Sequence, residues 1–172
     1  MQQGIGDLTS AAPGTAARFN AGKPRVDLLP LHVLASMMVK VPSDAPNAQA
    51  DEMDCMYHLG AFQARNGDDF YNLALATCAL NYPIEACADA FEYGLKKYAA
   101  WNWSKGMPWS AMIASTTRHL LAGHRGETHD KESGCEHIGM AMFGLLCLAV
   151  YIDTYPEGDD RLSNLTKNEA PK

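Results

Sequence analysis

GETHDKESGCEHIGMAMFGLLCLAVYI, residues 126–152, has two unlike halves. Residues 126–137 carry Glu127, Asp130, Glu132 and Glu136 together with His129 and His137, whereas residues 138–152 carry no charge at all. The uncharged run falls short of the ~20 residues that a bilayer-spanning helix needs, so it reads as a buried core helix. Gly139, Ala141 and Gly144 give that helix a smooth surface against which a neighbour can pack closely. Hard divalent cations take several oxygen ligands and sit where carboxylates converge, so the acidic and histidine-rich half points to a metal site. A charged surface turn that caps two helices is the other reading of the same residues.

Upstream, RHLLAGHR (118–125) closes a helix expected over 110–124, with Ser110 as its cap and Met112, Ile113, Thr116, Leu120 and Ala122 as its apolar face. That helix should place Arg118 and His119 beside the acidic cluster. His119, near its end, and His137, at the start of the next helix (expected near Ser133), are spaced to face each other across the connection. His124 and His129 lie nearby, while His32 and His58 stand alone on helices and read as structural. None of the spacings matches a zinc finger or HExxH.

AAWNWSKGMPW (99–109) gathers all three tryptophans into one loop. Such a loop can stack a nucleobase or can lie as a lid over the core. The preceding helix, expected over 84–99, carries an apolar stripe of Ile84, Ala88, Phe91 and Leu95. Beside it runs a charged stripe of Glu85, Asp89, Glu92 and Lys96, either the edge of a metal site or a solvated face with an ion pair. Earlier helices are expected over 51–65, ended by Asn66-Gly67, and from an Asp68 or Asp69 cap to about Leu80. A helix over 31–41 follows Pro30, and PSDAPNAQA (42–50) reads as a linker. Lys23 and Arg25 flank Pro24 in an extended stretch from which both can reach an anionic ligand. Few β-branched residues and no strand alternation make the class all-α.

The 172 residues fit one domain. The expected organisation is a flexible arm over 1–22, a single all-α catalytic domain over 23–156, and a loose tail over 157–172. Net charge −6 and a pI near 5.4 disfavour nucleic acid as a partner. An acidic protein that handles a polyphosphate needs metal ions between its carboxylates and the ligand. The five scattered cysteines form no Cys-x-x-Cys pair and read as buried free thiols of a reducing cytosol. MQQGIGDLTSAAPGTAARF lacks the basic and apolar regions of a signal peptide, so a cytoplasmic location with no membrane partner is expected.

GKPRVDLLP, EYGLKKYAAWNWSKGMPW and RHLLAGHRGETHDKESGCEH together resemble the phage dATP/dGTP diphosphohydrolases. These are MazG-like proteins whose MazZ group serves phages that replace adenine by 2-aminoadenine. The resemblance covers residues 22–30 and about 92–152, and it makes 42–80 an insertion relative to shorter relatives. It implies a MazG-like helical bundle, homodimeric or homotetrameric, that cuts a purine deoxynucleoside triphosphate to the monophosphate and pyrophosphate, dGTP first and dATP or GTP beside it. Two or three Mg²⁺ or Mn²⁺ ions per site would serve as cofactor. The implied metal ligands are Glu92, Glu127, Asp130, Glu132 and His137. The implied catalytic set is Glu127, Glu132 and Lys97, and the substrate set is Lys23, Arg25, Lys97, Tyr98, Trp103, Arg118 and His119. The chain departs from the MazG signature, EExxE followed by ExxD. Its ExxD is Glu127 to Asp130 after a glycine, its first acidic half (Glu85, Asp89, Glu92) lacks an adjacent Glu pair, and Met140 and Gly144 stand where relatives carry His and Asn. Two other functions fit parts of the sequence. One is an HD-type phosphohydrolase built on His129-Asp130, His119 or His124, and Asp153. The other is a non-catalytic helical phage protein that binds a nucleotide or a host partner.

Overall fold

A computed structural model describes residues 24–41 and 51–161. The arm expected over 1–22, Lys23, the linker 42–50 and residues 162–172 lie outside the described residues. Six helices follow one another: α1 Leu31–Lys40, α2 Glu52–Gln63, α3 Asp69–Ala79, α4 Ile84–Lys97, α5 Trp109–His124 and α6 His137–Thr154. Short 3-10 turns occupy Val26–Leu28, Asn102–Lys105 and Pro156–Gly158. Among the described residues there is no strand, only an isolated bridge between His129 and Glu136. The all-α class holds.

The helix starts follow local chemistry. Asp51 caps α2 by accepting from the Met53 and Asp54 amides at 2.8 and 3.3 Å, and Asp68 caps α3 by accepting from the Tyr71 amide at 2.7 Å. Pro83 precedes α4, and Lys96 and Lys97 in its last turn complement the helix dipole. Two starts differ from expectation. Ser110 does not cap α5. Its amide and hydroxyl instead donate to Asp160, so a carboxylate from beyond α6 satisfies that end. The last helix begins at His137 rather than near Ser133, because Asp130 captures the Ser133 amide and hydroxyl and Gly134 turns the chain at φ 73°.

α6 is the centre of the bundle, with α1, α3, α4 and α5 packed on it and α2 closing over α3 and α5. By length and composition it could cross a membrane, but 67% of it is buried within the bundle, as expected of a core helix. A Cβ at Gly139 would sit 2.3 Å from the Ala86 carbonyl oxygen, and one at Gly144 would sit 2.0 Å from the Thr116 hydroxyl. These glycines let α4 and α5 lie directly on α6. Gly139 meets Ala86 and Phe143 meets Phe91, so α4 runs parallel to α6. Gly144 meets Thr116 and His137 meets His119, so α5 runs antiparallel to it. α2 and α3, within the segment expected as an insertion, bury Cys55, Leu59, Phe62, Leu73, Ala74 and Ala76 in the same core. All five cysteines are free, and four of them are buried.

The chain beyond α6 is not loose over its described part. Arg161 is buried and anchors the segment to α2 and α3. A polar composition predicts a solvated tail, but a single arginine with enough carboxylate partners reverses that. The tryptophan loop is fixed from the same side. The Trp109 indole donates to the Tyr155 carbonyl at 3.0 Å, and the Tyr151 hydroxyl donates to the Trp103 carbonyl. The Tyr155 ring lies so close to Gly106 (φ 84°) that a Cβ there would be 2.4 Å from it.

Candidate active site

His119 on α5, His137 at the first turn of α6 and Asp130 in the connection come together. One ligand atom from each lies within 4.8 Å of the others. The two histidines face each other as their positions at helix end and helix start imply, Nδ1 to Nδ1 at 2.9 Å. The connection is shaped to deliver Asp130. The His137 amide donates to the Thr128 carbonyl and the Asp130 amide to the Cys135 carbonyl, closing a small antiparallel loop. Ser133 then donates twice to the Asp130 carboxylate, at 2.8 Å each. Burial opposes the charge on Asp130, but the Ser133 donors and the nearby imidazoles outweigh it and hold its carboxyl below the usual value. Burial, and then the facing His137, hold the His119 imidazole below the usual histidine value. An ionised carboxylate beside a His119 kept neutral is a donor set able to hold a divalent cation.

The other acidic residues named from the sequence lie outside this group. Glu127 pairs with Arg125 at 3.0 Å, and that guanidinium holds its carboxyl below the usual range. Glu132 reaches α4, where it pairs with Lys97 and accepts from the Tyr93 hydroxyl at 3.4 Å. The pairing lowers Glu132 and raises Lys97. Glu92 pairs with Lys96 at 3.0 Å, one helical turn on. With Asp89, His129 and Glu136 it lines a polar depression of about 370 Å³ between α4 and the connection. Arg25 is held at 2.7 Å by Asp27. Arg118 is exposed and makes no ion pair among the described residues.

Tyr98 and Trp103, both in the implied substrate set, line a cavity of about 220 Å³ between α4, α5 and the tryptophan loop. Phe91 and Phe143 form its floor, edge to face at 4.7 Å, and Trp103 stands edge-on to Phe91 at 5.4 Å. Ser115 lines the wall on α5, one turn or ~6 Å from His119. The cavity and the His–Asp–His group therefore share α5 and α6. Sequence reading did not single out Asn102 and Ser115 in the lining or Ser133 as the support of Asp130. The last had a signal in the Asp-x-x-Ser spacing of a side-chain turn.

Residues 63–161, more than half of the chain, match the family described as dATP/dGTP diphosphohydrolase, N-terminal, and the chain belongs to that family. The match begins at the end of α2 and takes in α3, so the segment expected as an insertion lies partly within the family's span. A protein of Salmonella phage PMBT28 named dATP/dGTP diphosphohydrolase is 30% identical over 77 residues, which are 45% of this chain and 26% of that relative. The aligned part is thus about a quarter of that relative's length. No solved structure matches the chain.

Proposed function

We propose that the chain is a metal-dependent diphosphohydrolase that converts purine deoxynucleoside triphosphates, dGTP first, to the monophosphate and pyrophosphate. The observation that supports this most is the placement, in a chain of this family, of a one-base aromatic cavity beside the His119–Asp130–His137 group. Those three residues would hold a divalent ion, which when bound supplies charge neutralisation and polarises the α-phosphate. Two imidazoles and a carboxylate suit Mn²⁺ better than Mg²⁺, which prefers an all-oxygen shell.

The chain's own residues would do the rest. The aromatic cavity holds the base, and Arg118, one residue from His119, takes the phosphate charge. Lys97 joins it when triphosphate displaces Glu132, and the freed Glu132 or Glu127 accepts the proton of the attacking water. Water adds at the α-phosphorus, the bond to the bridging oxygen breaks, and pyrophosphate leaves. A place in 2-aminoadenine nucleotide synthesis, a MazG-like ancestry and an oligomeric assembly in the host cytoplasm belong to the same reading.

The test is anion-exchange analysis of products from dGTP and dATP, each with Mn²⁺ and with chelator. Metal-dependent dGMP and pyrophosphate are expected, and no product under any condition would sink the proposal. An HD-type enzyme would instead release deoxyguanosine and triphosphate. Its arrangement needs Asp153 at the metal, but Asp153 lies sixteen residues along α6 from His137, ~24 Å away.

A further inference from the structure

We propose that Asn102 selects a 6-oxo purine, guanine, in the aromatic cavity by donating from its side-chain NH₂ while Lys105 holds its carbonyl oxygen. The inference rests on the reading of this cavity as the base site. Most of the lining is carbon: Phe91, Leu95, Met112 and Phe143 with Trp101 and Trp103. Sites of this kind fix a ligand's orientation through the few polar groups they contain.

Asn102 is one such group, and its amide orientation is determined by its neighbour. The Lys105 ammonium lies 3.3 Å from it. Lysine donates and never accepts, so the amide atom facing it is Oδ1. The NH₂ end, with two hydrogens and no partner among the described residues, is left for a ligand. The backbone is arranged to hold this residue at the cavity wall. Trp101 occupies the left-handed region (φ 59°, ψ 21°), a conformation costly for a bulky side chain. Its carbonyl accepts from the Ser104 amide at 3.0 Å and hydroxyl at 2.8 Å, which sustains the turn that begins at Asn102.

Guanine presents two acceptors, N7 and O6, on one edge, whereas adenine presents N7 and a donating amino group. A donor-only NH₂ fits the first and opposes half of the second. Ser115, the other short polar side chain on the lining, both donates and accepts and so does not discriminate.

The experiment compares kcat/KM for dGTP, dITP and dATP in Mn²⁺ for the wild type, Asn102→Ala and Lys105→Met. Asn102→Ala should lower the values for dGTP and dITP about tenfold more than that for dATP, the worth of one hydrogen bond. Lys105→Met, which frees the amide to flip, should raise dATP relative to dGTP. Equal loss on all three substrates, or a dITP value that follows dATP, overturns the inference. If no triphosphate is hydrolysed, the functional proposal fails. Quenching of Trp101 and Trp103 fluorescence by dGMP and dAMP in chelator then decides this inference separately. Selective weakening of dGMP by Asn102→Ala supports it, and equal weakening or no wild-type quenching overturns it.

Discussion

Arg161 and the His119–Asp130–His137 group are both polar clusters set into helix packing, and their charges are balanced differently. All five guanidinium N–H groups of Arg161 are used. They reach the Phe62 carbonyl, both oxygens of Asp69 and both of Asp159, while the Phe62 and Trp109 rings lie 4.3 and 4.8 Å from its central carbon. Arg65 adds a second cation to Asp159 at 2.9 Å, so two positive charges meet two negative ones. Nothing is left over for a ligand. The histidine group has one carboxylate, two imidazoles with nitrogens 2.9 Å apart and room for one proton between them. Full satisfaction makes the first cluster a fastener, and the surplus of lone pairs leaves the second able to hold a cation.

Substitutions should separate the two. Asp130→Ala should reduce turnover by about two to four orders of magnitude, because a ligand set that has lost its carboxylate loses both affinity and activity. Its melting temperature should fall little, and retained turnover would remove Asp130 from the site. Arg161→Ala should do the reverse. Leaving Asp69 and Asp159 facing each other in a half-buried setting should cost about 2–4 kcal/mol in urea unfolding while activity per folded molecule persists. Gly139→Ala should cost about 1–3 kcal/mol, because the new methyl meets the Ala86 carbonyl and must push α4 from α6.

The two clusters should also fail at different pH. His119 is held below 6.5 in the fold, so as pH falls below 6.5 the unfolded chain takes up a proton that the native chain refuses, and stability drops. Asp159 is held below 3.8 by Arg161, so its contribution stays intact above 3.8 and is lost only as pH falls beyond that. Melting curves in chelator should therefore show two acid steps, with His119→Gln shrinking the upper, which half-buried His58 shares, and Asp159→Asn shrinking the lower, which Asp130 and the other paired carboxylates share. A single step common to all three proteins would contradict the distinction. Lys96→Ala should have the smallest effect. It removes an exposed pair one turn apart on α4, and unfolding should shift by no more than about 0.5 kcal/mol.

The sequence brought the members of one of these clusters near each other, with His119 counted for substrate rather than metal, and hid the other. His119 and His137 were legible because each stands at the end of a helix that a short connection joins, and Asp130 lies inside that connection. The all-α class was legible for a similar reason: helical periodicity is local. The pairing of Glu127 with Arg125 and of Glu132 with Lys97 was not, because it depends on the path the backbone takes at Gly126 and Gly134, both at positive φ. Phe91 and Phe143 look like ordinary core residues at helical spacing, and only the packing of α4 on α6 reveals that they floor a cavity. Arg161 was unreadable, since nothing in EGDDRL distinguishes a buried guanidinium from a solvated one until α2 and α3 are placed around it.

Arg161 also sets where the chain can be trimmed or joined to another protein. The last helix ends at Thr154, which would invite a boundary there, yet a cut at that point removes both Asp160, the carboxylate that caps α5, and the guanidinium that ties α2 to α3. A tag or fusion partner belongs after residue 161. The C-terminal boundary of this unit thus falls no earlier than this one side chain, seven residues beyond its last helix.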